Sequence, residues 1–224
     1  EAEEGSPMRG LVTNLIVDHS RTVARLLLGH EDLRVGLVAD NAGTELLMDL
    51  VLADFLLSNQ VASQVEFHVK AHPFYVSDAM ISDAADATDA LIAAGGAAGK
   101  LGRRLDAHVA GGDLIPTTHP FYTSSLFYFE MPDDLYRDLS RLDLVIVKGD
   151  ANYRRLIGDA HWPHTVSFEE LLSYFPAPVV ALRTFKSELV VGLEEGQAER
   201  LAAIDSQWLV NGRLTASKIS CISP

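Results

Sequence analysis

Acidic and amide side chains stand beyond the ends of two short apolar segments. Asp40 and Asn41 directly follow residues 34–39 (RVGLVA), and Asp78 follows residues 65–69 (VEFHV) after a short connection. Carboxylate and amide oxygens are suitable ligands for hard and borderline divalent ions. A divalent ion held by them would stabilise charge on a phosphoryl group and activate a water molecule. The alternative is that each acid caps the helix that follows it.

A glycine and basic residues follow a third apolar segment, residues 143–147 (DLVIV). Lys148, Gly149 and Asp150 come next, and Arg154 lies about one turn further on in a predicted helix. A glycine at the exit of a strand, followed by a helix, is typical of backbone sites that bind phosphate. Lys148 and Arg154 would add positive charge. The spacing differs from a Walker loop, and an ordinary turn with solvated basic residues is the alternative.

A basic pair follows a fourth apolar segment, residues 179–182 (VVAL). Arg183 and Lys186 stand directly after it. At the same edge of a sheet as the acids, these cations would neutralise the charge of a bound phosphate. The alternative is an exposed ion pair with Glu188 or Glu194, which would contribute little to stability.

Other reactive residue types indicate no competing site. The eight histidines include His68 and His72, which fall in a strand region where their spacing does not form a zinc-binding pair. Cys221 is the single cysteine, which excludes an internal disulfide and a multi-cysteine metal site. The serines lack the nucleophile elbow of serine hydrolases.

Apolar strands alternate with amphipathic helices along the chain. The predicted strands are 34–39, 65–69, 143–147 and 179–182, and the predicted helices are 11–28, 43–57, 82–94, 152–157, 168–174 and 197–204. Continuous apolar strands between helices predict a three-layer α/β/α fold with a mainly parallel, Rossmann-like central sheet. Residues 95–129 are predicted to form a helical excursion or a lid. In such folds ligands bind beyond the carboxyl ends of the strands, where the four polar groups lie.

Length and charge limit the classes of function. The chain has 224 residues, 48% of them hydrophobic, which predicts a single domain over residues 1–224. The formal net charge of −13 argues against a protein that follows a nucleic-acid backbone. No apolar run approaches the length of a bilayer span, and the first residues, EAEEGSP, do not form a signal peptide. We therefore expect a cytoplasmic protein with a small-molecule partner.

Four segments that contain these polar groups resemble a known family. They are DNAGTELLMDLVLADFLL, VKAHPFYVSD, DLVIVKGDANYRRLIGD and PAPVVALRTFKSELVVGL. They are similar to the damage-control phosphatases of the domain-of-unknown-function-89 (DUF89) family, in the branch marked by an Arg-Thr-x-Lys motif. That motif is Arg183-Thr184-Phe185-Lys186 here, and the resemblance runs from about residue 11 to residue 209.

The resemblance implies a metal-dependent phosphatase of sugar phosphates such as fructose 1-phosphate and fructose 6-phosphate. The implied metal is manganese, cobalt or nickel, with magnesium also possible, and its ligands are Asp40, Asn41 and Asp78. The resemblance therefore favours metal binding over helix capping. The implied substrate-binding residues are Asp40, Asn41, Asp150, Ala151, Asn152, Tyr153, Arg154 and Lys186. Asp40, Asn41, Asp78, Asp150 and Lys186 are the predicted catalytic residues.

Two other functions stay open. Methylation of protein glutamate side chains from S-adenosylmethionine is proposed within the family, and an open α/β sheet can host that cofactor, but no G-x-G loop follows the first strand. The third function is non-catalytic binding of sugar phosphates. It, or a decayed fragment, is favoured because the family's helical N-terminal region has little counterpart here. Residues 212–224 also depart from the family's usual C-terminal end.

Overall fold

The computed structural model describes residues 14–220 and contains one seven-stranded sheet. Its strands are β1 (Leu15–Asp18), β2 (Leu33–Val38), β3 (Ala62–Val69), β4 (Leu114–Thr118), β5 (Leu144–Lys148), β6 (Val179–Thr184) and β7 (Thr215–Ser220). Their order across the sheet is β1-β7-β6-β5-β2-β3-β4. Every neighbouring pair is parallel except β6 and β7. The predicted α/β fold with a mainly parallel sheet is therefore confirmed.

Eight α-helices connect and cover the strands within the described residues. They are α1 (Ser20–Leu28), α2 (Thr44–Ser58), α3 (Ile81–Ala94), α4 (Gly96–Gly111), α5 (Asp133–Leu139), α6 (Asp150–Leu156), α7 (Phe168–Leu171) and α8 (Gln197–Ile204). Short 3₁₀ turns lie at Pro120–Thr123 and Tyr128–Glu130. Between residues 14 and 220, no helix combines the length and apolar character that crossing a membrane requires.

Both faces of the sheet are buried, which explains why the strands are apolar at successive positions. In β5, Leu144 and Ile146 pack into a core with α2, α3 and α4. Val145 and Val147 point the other way, into a core with α5, α6 and α7. Because successive side chains of a strand face opposite sides, a strand covered twice must be apolar throughout. This packing gives the three layers expected from the sequence.

One predicted helix is wrong in its first half. Residues 15–18 of the predicted helix 11–28 form β1, and the helix α1 begins only at Ser20. β1 is parallel to β7, a strand that was not predicted because it lies in the tail at 212–224. The apolar run of β1 (LIVD) is too short to distinguish a strand from a helix by its pattern, so its pairing with β7 decides its conformation. Residues 11–13 and 221–224 lie outside the described part of the chain.

The segment 95–129 is only partly the helical excursion that was predicted. Its first half is α4, which packs against α2 and α3. Its second half contains β4, which extends the sheet beside β3. The remaining predicted helices and strands are confirmed, with ends that differ by a few residues.

The sheet order explains how distant parts of the chain meet. The strands β6, β5, β2 and β3 are adjacent and parallel. Their carboxyl ends therefore lie at one edge of the sheet, where ligands bind in folds of this kind. The polar residues that follow these four strands are consequently placed in one region.

A buried lysine in β7 makes the stability of this fold depend on pH. Lys218 is 1% exposed, and its Nζ has no hydrogen-bond partner within residues 14–220. Burial, helped by the nearby charge of Arg183, lowers the pKa of Lys218 from 10.5 to about 7. Between these two values the unfolded chain holds a proton that the folded protein has lost. Stability should therefore rise with pH across this window.

We expect Lys218→Met to be more stable than the wild type at pH 7, by roughly 2–4 kcal/mol, since one pKa unit corresponds to about 1.4 kcal/mol. The difference should shrink as the pH approaches 10, because the wild-type side chain is then neutral when folded and little protonated when unfolded. Urea unfolding between pH 6 and 10 measures it. Lys100→Met, at an exposed position of α4, is the control, and equal pH slopes for all three proteins would contradict the prediction.

Candidate active site

The structure brings Asp40 and Asp78 together through their backbones. Beyond the end of β2, Ala79 N donates to Asp40 O at 3.1 Å, and Ala42 N donates to Ser77 O at 2.7 Å. Asn41 and Asp78 form an isolated antiparallel bridge. Their main chains are thus fixed side by side, and the negative charge of Asp78 acts on the Asp40 carboxyl.

Neither acid caps a helix. α2 follows Gly43, and no side chain caps its first turn. The Oδ2 atom of Asp78 accepts hydrogen bonds from Phe74 N at 2.8 Å and Tyr75 N at 2.7 Å, within its own loop. The start of α3 is capped instead by Asp83, which accepts from Met80 N. The capping alternative is therefore wrong for both acids.

The amide of Asn41 lies between the acids and a hydroxyl. Its Nδ2 donates to Asp40 Oδ2 at 2.9 Å and to Glu45 Oε2 at 3.1 Å, while Ser77 Oγ donates to its Oδ1 at 2.6 Å. A half-turn of the amide exchanges its oxygen and nitrogen. The oxygen then faces Asp40, and the Ser77 hydroxyl can accept from the NH₂ group instead. Asn41 can therefore present an oxygen to an ion beside Asp40.

The Asp40 carboxyl is buried without a full counter-charge. Asp40 is 9% exposed, and burial raises its pKa to about 6. Lys70 and Lys186 act in the opposite direction, and Glu45 and Asp78 raise the pKa further. An acid in this state gains most from a cation placed beside it.

The donor set fits a divalent cation that keeps open coordination positions. Asp40 and Asp78 contribute carboxylates and Asn41 contributes an amide oxygen. No group of three His, Cys, Asp or Glu side chains suited to a metal occurs within residues 14–220. An ion on this set would therefore be held by two acids and an amide, which leaves positions for water and phosphate oxygens. Whether these residues hold a metal stays a prediction.

Gly149 approaches the Asp40 carboxylate so closely that no side chain fits. Its φ is +90°, and a Cβ built on it would lie 2.0 Å from Asp40 Oδ2. Its amide is held in place by Leu182 O at 2.9 Å. The sequence predicts that the backbone at this glycine binds phosphate. The structure adds a second reason for the glycine, since a side chain at position 149 would collide with Asp40.

Asp150 is fixed by a buried arginine. Arg183 Nη2 lies 2.5 Å from Asp150 Oδ1 in a close ion pair whose N–H is not aligned as a hydrogen bond. The guanidinium also donates to Leu189 O at 2.5 Å and stacks over the ring of Tyr153 at 4.1 Å. The suggested exposed pair of Arg183 with Glu188 or Glu194 is therefore wrong. Arg183 is a buried residue that orients Asp150.

Several predicted contributors of charge or substrate contacts are engaged elsewhere. Lys148 pairs with buried Asp49, and Arg154 donates twice to Asp159, at 2.6 and 2.8 Å. The side chain of Asn152 donates to Lys148 O at 3.0 Å. The Tyr153 hydroxyl is buried and accepts from Val191 N at 3.2 Å. Lys186, by contrast, is exposed and acts electrostatically on Asp40.

Two cavities open at this edge of the sheet. The Lys186 cavity, of about 570 Å³, is lined by residues that include Asp40, Glu45, Lys148, Gly149, Asp150, Arg183 and Lys186. The Lys70 cavity, of about 250 Å³, is lined by Lys70, Phe74, Tyr75, Tyr122, Ser124, Ser125, Phe127, Ala151, Asn152, Arg154, Arg155 and Asp159. The first turn of α6 contributes to both, so the cavities are adjacent.

Comparison with known proteins identifies the family of this chain. Residues 5–201 match the family model described as the Damage-control phosphatase ARMT1-like domain. The chain belongs to this family. Damage-control phosphatase ARMT1 from Rattus norvegicus is 41% identical over 192 residues, which cover 80% of this chain and 42% of that protein. The Danio rerio protein of the same name is 40% identical over 200 residues, covering 86% and 44%. This ARMT1-like chain thus spans less than half the length of these relatives.

A solved structure supports the fold alone. The crystal structure of a DUF89 family protein from Pyrococcus horikoshii superimposes with a TM-score of 0.52 at 15% identity. The superposition covers 90% of this chain and 52% of the Pyrococcus horikoshii chain.

Lys70 is a residue of the ARMT1-like site that the sequence analysis missed. It follows β3 directly, is 5% exposed, and acts electrostatically on Asp40. The same rule that identified Asp40, namely a polar residue at the end of a strand, would have found it.

We expect Asp40→Asn to stabilise the ARMT1-like chain in chelator at pH 7.5, by roughly 1–3 kcal/mol, because folding raises the pKa of this carboxyl. The gain should shrink as the pH falls through about 6 and vanish below about 4, where the wild-type carboxyl is protonated in both states. Urea unfolding measures it, with exposed Asp86→Asn as the control. A gain independent of pH would contradict the stated cause.

We expect Gly149→Ala to destabilise the protein more than Gly112→Ala. Both glycines have positive φ, but a Cβ at Gly112 would meet nothing within 4 Å. The control should therefore lose only the cost of the left-handed backbone, roughly 1–2 kcal/mol. Gly149→Ala should lose more and should also weaken Mn²⁺ binding by displacing Asp40. Unfolding and calorimetric titration measure both effects, and equal losses would contradict the close approach.

Proposed function

We propose that this chain hydrolyses phosphate monoesters of small metabolites with the help of a divalent ion on Asp40, Asn41 and Asp78. The proposed substrates are sugar phosphates such as fructose 1-phosphate and fructose 6-phosphate, and the proposed ion is manganese, cobalt or nickel, with magnesium as a further candidate. The observation that carries the proposal is the buried Asp40 carboxyl, held beside Asp78 and raised in pKa to about 6. It creates the need for a cation at the point where a phosphate would approach.

The relatives support the reaction class. Those that match over most of this chain are named damage-control phosphatases, a name that describes those longer proteins. The matched part contains Asp40, Asp78, Asp150 and Lys186, since the family model extends over residues 5–201. The Lys186 cavity also has the size of a small-molecule site, about 570 Å³.

Each proposed catalytic residue has a fixed position or a free charge. Asp78 is oriented by two loop amides, and Asp150 by Arg183. When bound, a divalent ion would supply Lewis-acid stabilisation of the phosphoryl oxygens and a more acidic water. Lys186 would bind a further phosphoryl oxygen. Asp150 would accept a hydrogen bond from a water molecule or from a sugar hydroxyl.

The arrangement also addresses a charge problem. Asp40, Asp78, Glu45 and Asp150 would repel a phosphate dianion if they stood alone. Positive groups on the same edge of the sheet reduce this repulsion, and they are worth most where water is excluded. The site therefore suits an anionic substrate only when its acids are covered by a cation.

We expect the protein to release phosphate from a panel of sugar phosphates with Mn²⁺ and to stop when the ion is chelated. Asp78→Ala should lower kcat by at least about 100-fold, because Asp78 would hold the ion that stabilises the developing charge. Asp86→Ala is the exposed control, and circular dichroism confirms that both variants are folded.

Three other outcomes would contradict the proposal. They are full activity of Asp78→Ala, methyl transfer from labelled S-adenosylmethionine without phosphate release, and binding of sugar phosphate without turnover. The second outcome would support a glutamate methyltransferase, and the third a non-catalytic binder.

A further inference from the structure

We propose that Lys70 is a second phosphate-binding lysine, which holds the phosphoryl group of the substrate at the mouth of the Lys70 cavity. This inference rests on the proposed function and gives a role to a residue to which the sequence analysis assigned none. Its basis is the position of a buried ammonium group beside two acids, in a cavity whose other cations are engaged.

The backbone places Lys70 in the same structural unit as the paired acids. Lys70 N donates to Ala79 O at 2.8 Å, and Lys70 forms a bridge with Met80. Ala79 also donates to Asp40 O. One short segment therefore links the end of β3, the loop of Asp78 and the end of β2. The position of the Lys70 main chain is thus determined by the same contacts as those of the acids.

The Lys70 side chain is buried and forms no ion pair with any carboxylate of the described chain. The residue is 5% exposed and lines the Lys70 cavity. The negative charges of Asp78 and Asp40 act on it, yet no carboxylate of residues 14–220 lies within the 4.0 Å of a salt bridge. A desolvated ammonium group requires an anion or hydrogen-bond acceptors. If Asp40 and Asp78 bind a divalent ion, their negative charge is neutralised by that ion. The Lys70 ammonium group then needs another anion as its partner.

The two other cations of the cavity are already satisfied. Arg154 forms a two-point pair with Asp159. Arg155 donates to the carbonyl oxygens of Leu126 at 2.8 Å and Phe121 at 2.9 Å, and stacks over the Phe121 ring at 4.4 Å. Of the cations that line this cavity in the described chain, Lys70 is the one left to bind a ligand.

The rest of the cavity suits a compact phosphorylated molecule. Its walls are aromatic at Phe74, Tyr75 and Tyr122, next to the hydroxyls of Ser124 and Ser125. Such walls are suited to a sugar ring, because its carbon atoms can pack against the aromatic faces and its hydroxyl groups can form hydrogen bonds with the serines. The Tyr122 hydroxyl is held by His68 Nδ1 at 3.1 Å, so this wall is fixed. A volume of about 250 Å³ limits the cavity to a small ligand.

The test compares Lys70→Met, Lys70→Arg and the exposed control Lys100→Met in the full chain. Titration with inorganic phosphate and with orthovanadate, in Mn²⁺ buffer, measures anion affinity. We expect Lys70→Met to weaken both by roughly 10–100-fold, the factor for one hydrogen bond to a charged group. Lys70→Arg should keep part of the affinity, and Lys100→Met should match the wild type. Mn²⁺ affinity should not fall in Lys70→Met, since the change removes a cation near the ion.

The outcomes separate this inference from the proposed function. If Lys70→Met binds phosphate within about twofold of the wild type, the inference is overturned even if sugar phosphates are hydrolysed. Loss of a hydrogen bond between Lys70 and phosphate would weaken binding by more than that. Lys70-dependent phosphate binding without hydrolysis would support the inference and refute the phosphatase. If Lys70→Met does not fold, ¹³C-methylated Lys70 in the wild type is followed by NMR. A phosphate-induced shift of the Lys70 signal supports the Lys70 inference, and an unchanged signal overturns it.

Discussion

Two main-chain hydrogen bonds, from Ala79 to Asp40 and from Ala42 to Ser77, join two connections beyond the sheet edge. They hold the main chains of these two connections side by side, so the charge of Asp78 acts on the Asp40 carboxyl, whose pKa burial raises to about 6. Like charges so placed are unfavourable unless a cation joins them. Three other features surround the Asp40 carboxyl: the missing side chain at Gly149, the amide of Asn41 that donates to Asp40, and the nearby lysines.

The charged residues around the acids divide into two kinds. Arg183 holds Asp150, Lys148 pairs with Asp49, and Arg154 pairs with Asp159, so these cations keep the site rigid. Lys186 and Lys70 form no such pairs within residues 14–220 and remain for a ligand. A site that keeps acids and lysines partly unsatisfied loses stability when empty and recovers it on binding.

The contacts in the structure can be compared with the substrate-binding residues that the family resemblance implies. Its implied substrate segment runs from Asp150 to Arg154, but the side chains of Asn152 and Tyr153 are turned to internal partners. In that segment, Asp150 lines the Lys186 cavity, and Ala151, Asn152 and Arg154 line the Lys70 cavity. The matched relatives are longer than this chain, and the acids and lysines of the site, from Asp40 to Lys186, lie within the residues 5–201 matched by the family model.

The sequence by itself determined the alternation of strands and helices, the parallel sheet and the acids at its edge, because strand burial and helix periodicity are local patterns. It did not determine β1, β4 or β7, which depend on pairing with partners far along the chain. It also could not distinguish free cations from paired ones. Lys148 and Lys70 both follow strands, and only the tertiary structure places Asp49 against one and a cavity against the other. Such differences arise from contacts between distant residues, which no local pattern records.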